Sequence, residues 1–239
     1  MKGERRMNRK VLFIGNSHSY FNDMPEVFAR LCEKGAGVNV DAVMLTHPGM
    51  TLGWHMEQYY EVRYNLLYGH YDDCVIQQGA HPFPGYEATK EALDQLLPLC
   101  RAGGARPVLA MTWAEKRAPE HQAAMTDAFL RLGKEKNVLV SPIGMAWESM
   151  RKTHPDCELF YTDGEHASPL GDYLVACTHY ETILGQSCLS LPAEGIDYRQ
   201  GSEKELIDPS KVACTFPEEE ARWVREAVHE AVNRIKSIV

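Results

Sequence analysis

The chain has 239 residues, 44% of them hydrophobic, and carries a formal charge of −8 with a pI near 5.7. That length and apolar share suit one domain with a full core, and the acidic balance argues against nucleic acid or an anionic membrane as partner, since either demands basic surface. No stretch is apolar enough to span a bilayer. Residues 1–10 are charged and lack the apolar run and small-residue cleavage site of a secretory signal, and the seven cysteines show no Cys-x-x-Cys spacing, so a cytoplasmic protein with reduced thiols is expected.

The first informative stretch is Val11-Leu12-Phe13-Ile14-Gly15-Asn16-Ser17-His18-Ser19. Its apolar half reads as a buried strand; Gly15 lets the chain turn sharply and leaves Ser17 at the C-terminal edge of the strand, where α/β proteins bind ligands. Asp23, Pro25 and Glu26 predict a helix start with a capping box, and the helix should end near Gly35–Gly37. Val38 to Leu45 reads as a second strand, closing in a loop that contains Gly49. A helix from about Trp54 to Tyr68 follows, then a third strand over Tyr71–Gln78 that runs into Gly79-Ala80-His81-Pro82.

Farther on, the pattern predicts a helix over 86–101, a strand over 107–111 and a helix over 119–136 with apolar spacing at Met125, Phe129 and Leu132. A short strand over 138–140 precedes a helix opening at Pro142. Strands alternating with helices predict a parallel sheet covered on both faces, a three-layer α/β/α sandwich. Asp163-Gly164-Glu165-His166 lies ahead of Ser168 and Pro169, the N-cap and first position of another helix. Residues 186–216 hold several loop formers, including Pro192, Gly195, Gly201 and Pro209, and such a long irregular connection either folds over a site or contacts another subunit. Pro217 opens a final helix whose Trp223, Val224, Ala227, Val228, Ala231 and Ile235 form an apolar stripe, suited to core packing or to a homo-oligomer contact.

The chemistry lies in the two segments that carry Ser17 and His166. A serine hydroxyl is a weak nucleophile at neutral pH and needs an imidazole to take its proton and a carboxylate to orient that imidazole; Asp163 and His166 offer both from one loop. Together the segments resemble the SGNH hydrolases, the GDSL-like esterases and lipases, in which the serine follows the first strand and Asp-x-x-His lies near the C-terminus. The resemblance covers roughly residues 10–185, leaving 186–239 as an extension of a single domain that ends in a helix.

The resemblance implies a five-stranded parallel sheet in the flavodoxin-like order 2-1-3-4-5, with Ser17, Asp163 and His166 as catalytic residues and no cofactor or metal. It also implies an oxyanion hole made by the backbone N–H groups of Ser17 and Gly49 and a third donor. Two positions depart from the family pattern. Asn16 stands where an aspartate is usual, and His81 falls where the Gly-x-Asn-Asp block carries its asparagine donor. The third donor is then Gln78 or His81, or the hole is backbone alone.

The expected substrate is a small ester with a short acyl group, acetyl above all, on a polar alcohol such as a sugar. Aromatic and polar residues mix in the predicted loops, with Trp54, His55, Tyr59 and Tyr60 after Gly49, Phe83 and Tyr86 after His81, and Trp113 after the fourth strand; Trp54 and Trp113 are the candidate sugar platforms. Three other readings stay open: a hydrolase of longer acyl groups, a metal-dependent hydrolase in which His18, His47 and His81 converge at the sheet edge, and a binding module on a degenerate esterase scaffold.

Overall fold

The computed structural model describes residues 7–196, 198 and 215–237. Five strands, β1 (Met7–Gly15), β2 (Val38–Thr46), β3 (Asp73–Gln77), β4 (Arg106–Ala110) and β5 (Leu139–Ser141), form one sheet in the order 2-1-3-4-5 with every neighbouring pair parallel. The register sets Gly15 opposite Thr46 and Ile14 opposite Ile76, so the C-terminal ends of β1, β2 and β3 open onto one edge of the sheet.

Alternation along each strand divides the core into two layers. Val11, Phe13, Val75 and Val108 face one side, against α2 (Met24–Ala36), α7 (Ile143–Thr153), α8 (Pro169–Leu184) and α9 (Glu218–Lys236). Leu12, Ile14, Cys74, Ile76 and Leu109 face the other, against α4 (Tyr59–Tyr68), α5 (Tyr86–Ala102) and α6 (His121–Lys136). The α9 stripe is used in this core: Val224 and Val228 are inaccessible to solvent and Ala227, Ala231 and Ile235 nearly so. Among the described residues no helix is long and apolar enough to cross a membrane.

Two local expectations need correction. The predicted capping box at Asp23 does not form. Residues 17–20 make an extra helical turn, α1 (Ser17–Tyr20), and Phe21–Asp23 a 3₁₀ turn, so the chain reaches α2 through left-handed backbone at Asn22 (φ 52°) and Asp23 (φ 65°), and Asp23 makes no side-chain cap hydrogen bond. The single helix predicted from Trp54 to Tyr68 is two, α3 (Leu52–Glu57) and α4, broken at Gln58. Of the segment 186–216, Leu191, Ala193, Ile196 and Tyr198 pack in the core beside α8; residue 197 and residues 199–214 lie outside the described residues.

Candidate active site

Gly15 is required at the end of β1 for room. A Cβ there would stand 2.3 Å from Gln77 Oε1 and 2.6 Å from Ser19 Oγ, too close for any side chain. That crowding is functional: Gln77 Oε1 accepts from Asn16 N (2.8 Å) and Ser19 Oγ (2.9 Å), and buried His55 donates from Nε2 to the Gly15 carbonyl at 2.8 Å. Asn16 then caps α1, its Oδ1 accepting from His18 N at 3.1 Å. Ser17 is thus the first residue of a helical turn, presented at the strand edge with its N–H pointing outward as helix N-termini require.

The histidine loop is fixed with equal care. Gly164 (φ 74°) makes the turn, and Tyr161 N donates to the His166 carbonyl at 2.8 Å. Asp163 uses its two oxygens separately: Oδ1 accepts from Glu165 N (2.8 Å) and His166 N (3.0 Å), and Oδ2 from His166 Nδ1 (2.7 Å). Burial works against the charged carboxylate, but these bonds outweigh it and hold Asp163 below the ordinary carboxylate range. Because the carboxylate can only accept, the His166 proton sits on Nδ1, and Nε2 faces Ser17 Oγ at 2.8 Å. Ser17, His166 and Asp163, drawn from opposite ends of the sequence, therefore stand in one hydrogen-bonded line.

Asn22 joins the two halves. Its Nδ2 donates to the Ala167 carbonyl (2.8 Å) and to Asp172 Oδ2 (2.5 Å). Asp172 is buried, and that burial, against the pull of Asn22, raises its pKa well above the usual carboxylate value. Nothing local in the sequence marks Asn22 or Asp172: the left-handed backbone at Asn22 and the burial of Asp172 are set by the fold.

The oxyanion candidates separate. Asn16 Nδ2 donates to the Met50 carbonyl at 3.0 Å and His47 N to the Gly15 carbonyl at 3.1 Å, which draws the Gly49 turn (φ 71°) against the start of α1. Gln78 points elsewhere: its Oε1 accepts from Leu52 N (2.9 Å) and Gly79 N (2.8 Å) and its Nε2 donates to Thr89 Oγ1 (3.2 Å). His81 Nε2 donates to the Trp113 carbonyl at 3.0 Å and its Nδ1 lies 3.2 Å from His18 Nε2. His81 is engaged through both ring nitrogens, and Gln78 through its carbonyl oxygen and one of its two amide N–H bonds.

Trp113 also departs from expectation. It is 1% exposed, stacked on Trp147 at 4.3 Å, and its Nε1 donates to the Glu165 carbonyl at 2.9 Å. It is a wall behind the histidine loop and offers no open face to a sugar. Trp54 remains half-buried at the edge beside His47, with Tyr59 and Tyr60 exposed after it. Of the three histidines considered as metal ligands, His18 and His81 meet, while His47 lies against Trp54 and 3.5 Å from Glu61; among the described residues no group of three or more His, Cys, Asp or Glu side chains is arranged to hold a metal ion.

The sheet order, with Ser17 after β1 and the Asp163–His166 loop before α8, gives a fold shared with GDSL-like lipases and esterases. Over 97% of both chains the structure superposes on a DUF4886 family protein from Bacteroides uniformis, with a TM-score of 0.75 and 18% identity. A lipase/acylhydrolase from Enterococcus faecalis matches 74% of this chain and 96% of its own (TM-score 0.59, 18% identity). A carbohydrate esterase family 3 protein from Talaromyces cellulolyticus matches 74% and 97% (TM-score 0.59, 12% identity). No protein-family model and no curated protein sequence matches the chain.

Proposed function

We propose that the protein is a serine esterase that removes short acyl groups from a polar alcohol. The observation that carries this reading is the line Ser17 Oγ–His166 Nε2–Asp163 Oδ2, with contacts of 2.8 and 2.7 Å. His166 takes the serine proton as Oγ attacks the ester carbonyl, and Asp163 steadies the imidazolium that forms. The N–H groups of Ser17 and Gly49 receive the oxyanion, in a hole built from backbone alone. His166 then protonates the leaving alcohol, and water, activated by the same imidazole, releases the acyl group.

Two things support a sugar acetate as substrate: the fold is shared with a protein described as a carbohydrate esterase, and Trp54 offers an aromatic face next to the Gly49 loop. The test is a chain-length series of aryl esters on the wild type and Ser17→Ala, with organophosphonate labelling mapped by mass spectrometry and acetate release measured from acetylated oligosaccharides. Labelling confined to Ser17, abolished in His166→Ala, and faster turnover of acetyl than octanoyl esters are expected. Faster octanoyl turnover would move the assignment to longer acyl groups, and no turnover of any ester would leave a binding module.

A further inference from the structure

Two rings stack on the His166 imidazole: Phe21 at 4.3 Å with the planes 21° apart, and His18 at 4.9 Å and 23°. We propose that His18 is a positioning residue for the reaction inferred above: its ring, anchored edge-on by His81, stacks on His166 and holds the imidazole in the plane from which Nε2 meets the Ser17 hydroxyl.

The anchor is a closed circuit. The Trp113 carbonyl can only accept, so the His81 proton is on Nε2; His81 Nδ1 then accepts from His18 Nε2 at 3.2 Å. Trp113 in turn donates from its indole nitrogen to the carbonyl of Glu165, the residue before His166. Trp113 therefore ties down both the prop and the loop that the prop supports. The Nδ1 of His18 is buried without a hydrogen-bond partner, and the Glu165 backbone beside the ring acts on it as an acceptor. The His18 backbone N–H is the one that Asn16 caps, so the turn that presents the Ser17 hydroxyl also presents the ring that holds the base.

Charge agrees with geometry. His18 is packed against His81, His166 and Trp113, with Asp163 and the Glu165 backbone beside it. Burial, with His81 and His166 adding to it, lowers its pKa well below the ordinary histidine value. Glu165 and Glu115 lie toward His81, where burial likewise keeps the ring neutral. A neutral ring against His166 leaves the base free to become cationic when it takes the serine proton; a second cation at that distance would oppose the step.

The experiment separates the ring face from the hydrogen bond. His18→Phe keeps an aromatic face and loses the donor to His81; His18→Gln keeps a donor and loses the face; His18→Leu is a second replacement without an aromatic face. All three are assayed for kcat and KM on the best aryl ester, for the rate of Ser17 phosphonylation, and for melting temperature. Turnover of the Phe variant should lie about 3- to 5-fold below wild type, and that of Gln and Leu about 10²-fold below, with KM within about twofold, because a misplaced base costs rate and leaves binding alone. Phosphonylation should follow the same order. Gln equal to or faster than Phe, or all three at the wild-type rate, overturns the assignment of His18. Failure of the esterase reading is a different result: wild-type protein that neither turns over an ester nor takes the phosphonate.

Discussion

Asn16 Nδ2 donates a 3.0 Å hydrogen bond to the Met50 carbonyl, so the residue before the serine bridges the end of β1 to the loop that follows β2. An aspartate, usual in SGNH hydrolases at this position, has no proton to give and would set a carboxylate oxygen against that carbonyl. The substitution Asn16→Asp should therefore keep the cap on His18 N yet loosen the Gly49 turn. Turnover is expected to fall about tenfold, less than the 10²–10³ of a lost oxyanion donor, with KM little changed. Turnover at or above the wild-type value in a steady-state ester assay would show that the Met50 contact does not place Gly49.

Gln78 satisfies two backbone N–H groups and Thr89 from a site that is 1% exposed. Gln78→Ala should act on stability: leaving buried donors unpaired costs about 1–3 kcal/mol, read as a lowered urea midpoint. The change in turnover should stay under about tenfold. A loss of about 10²–10³ in kcat without loss of stability would instead make Gln78 the oxyanion donor.

Asp172 supplies a pH signature. Burial raises its folded pKa well above the ordinary 3.8, so between those values the folded chain holds a proton that the unfolded chain has released. Its contribution is fully present below about pH 3.8 and declines as pH rises toward the folded pKa, by about 1.4 kcal/mol per unit. Asp172→Asn keeps an oxygen for Asn22 and removes the titration. The stability of this variant relative to wild type should improve as pH rises above about 4 in denaturant melts; a difference independent of pH would mean that Asp172 is ionised in the fold.

His179 gives the opposite slope. Its ring, 2% exposed with Nδ1 3.0 Å from Ser141 Oγ, has its pKa pushed down by burial from 6.5 to about 3. The unfolded chain then binds a proton that the folded chain refuses, so stability is fully present above pH 6.5 and lost as pH falls toward 3. Wild type should lose about 2 kcal/mol more than His179→Leu between pH 7 and pH 5, judged by urea unfolding at each pH. Equal losses would place a proton on His179 in the native state.

What could be read ahead of the structure was whatever depends on neighbours in sequence. The strand–Gly–Asn–Ser turn and the Asp163–His166 loop are local patterns, and their residues come together because each stands at the same edge of a parallel sheet. Strand alternation announced the layers, while the strand order came from the family resemblance. Trp113 departs from expectation because its burial is decided by Trp147, 34 positions on. The environment of Gln78 is likewise set from outside its own loop, by Leu52 and Thr89. The cap at Asp23 failed because an additional helical turn, begun by Asn16, moves the chain into left-handed backbone before α2 starts. Two of the three histidines expected to converge do so, but as an edge-to-face, hydrogen-bonded pair.

The parallel indoles of Trp113 and Trp147, 6° apart at 4.3 Å and both 1% exposed, are chromophores fixed in an asymmetric surrounding, and such side chains give bands in near-ultraviolet circular dichroism. One of the two also holds the carbonyl next to His166. The chromophore pair is thus wired to the loop that carries the base, and the protein contains its own optical gauge of that loop: lifting the loop would break the Glu165 bond and change the near-ultraviolet signal while leaving the helical signal in place.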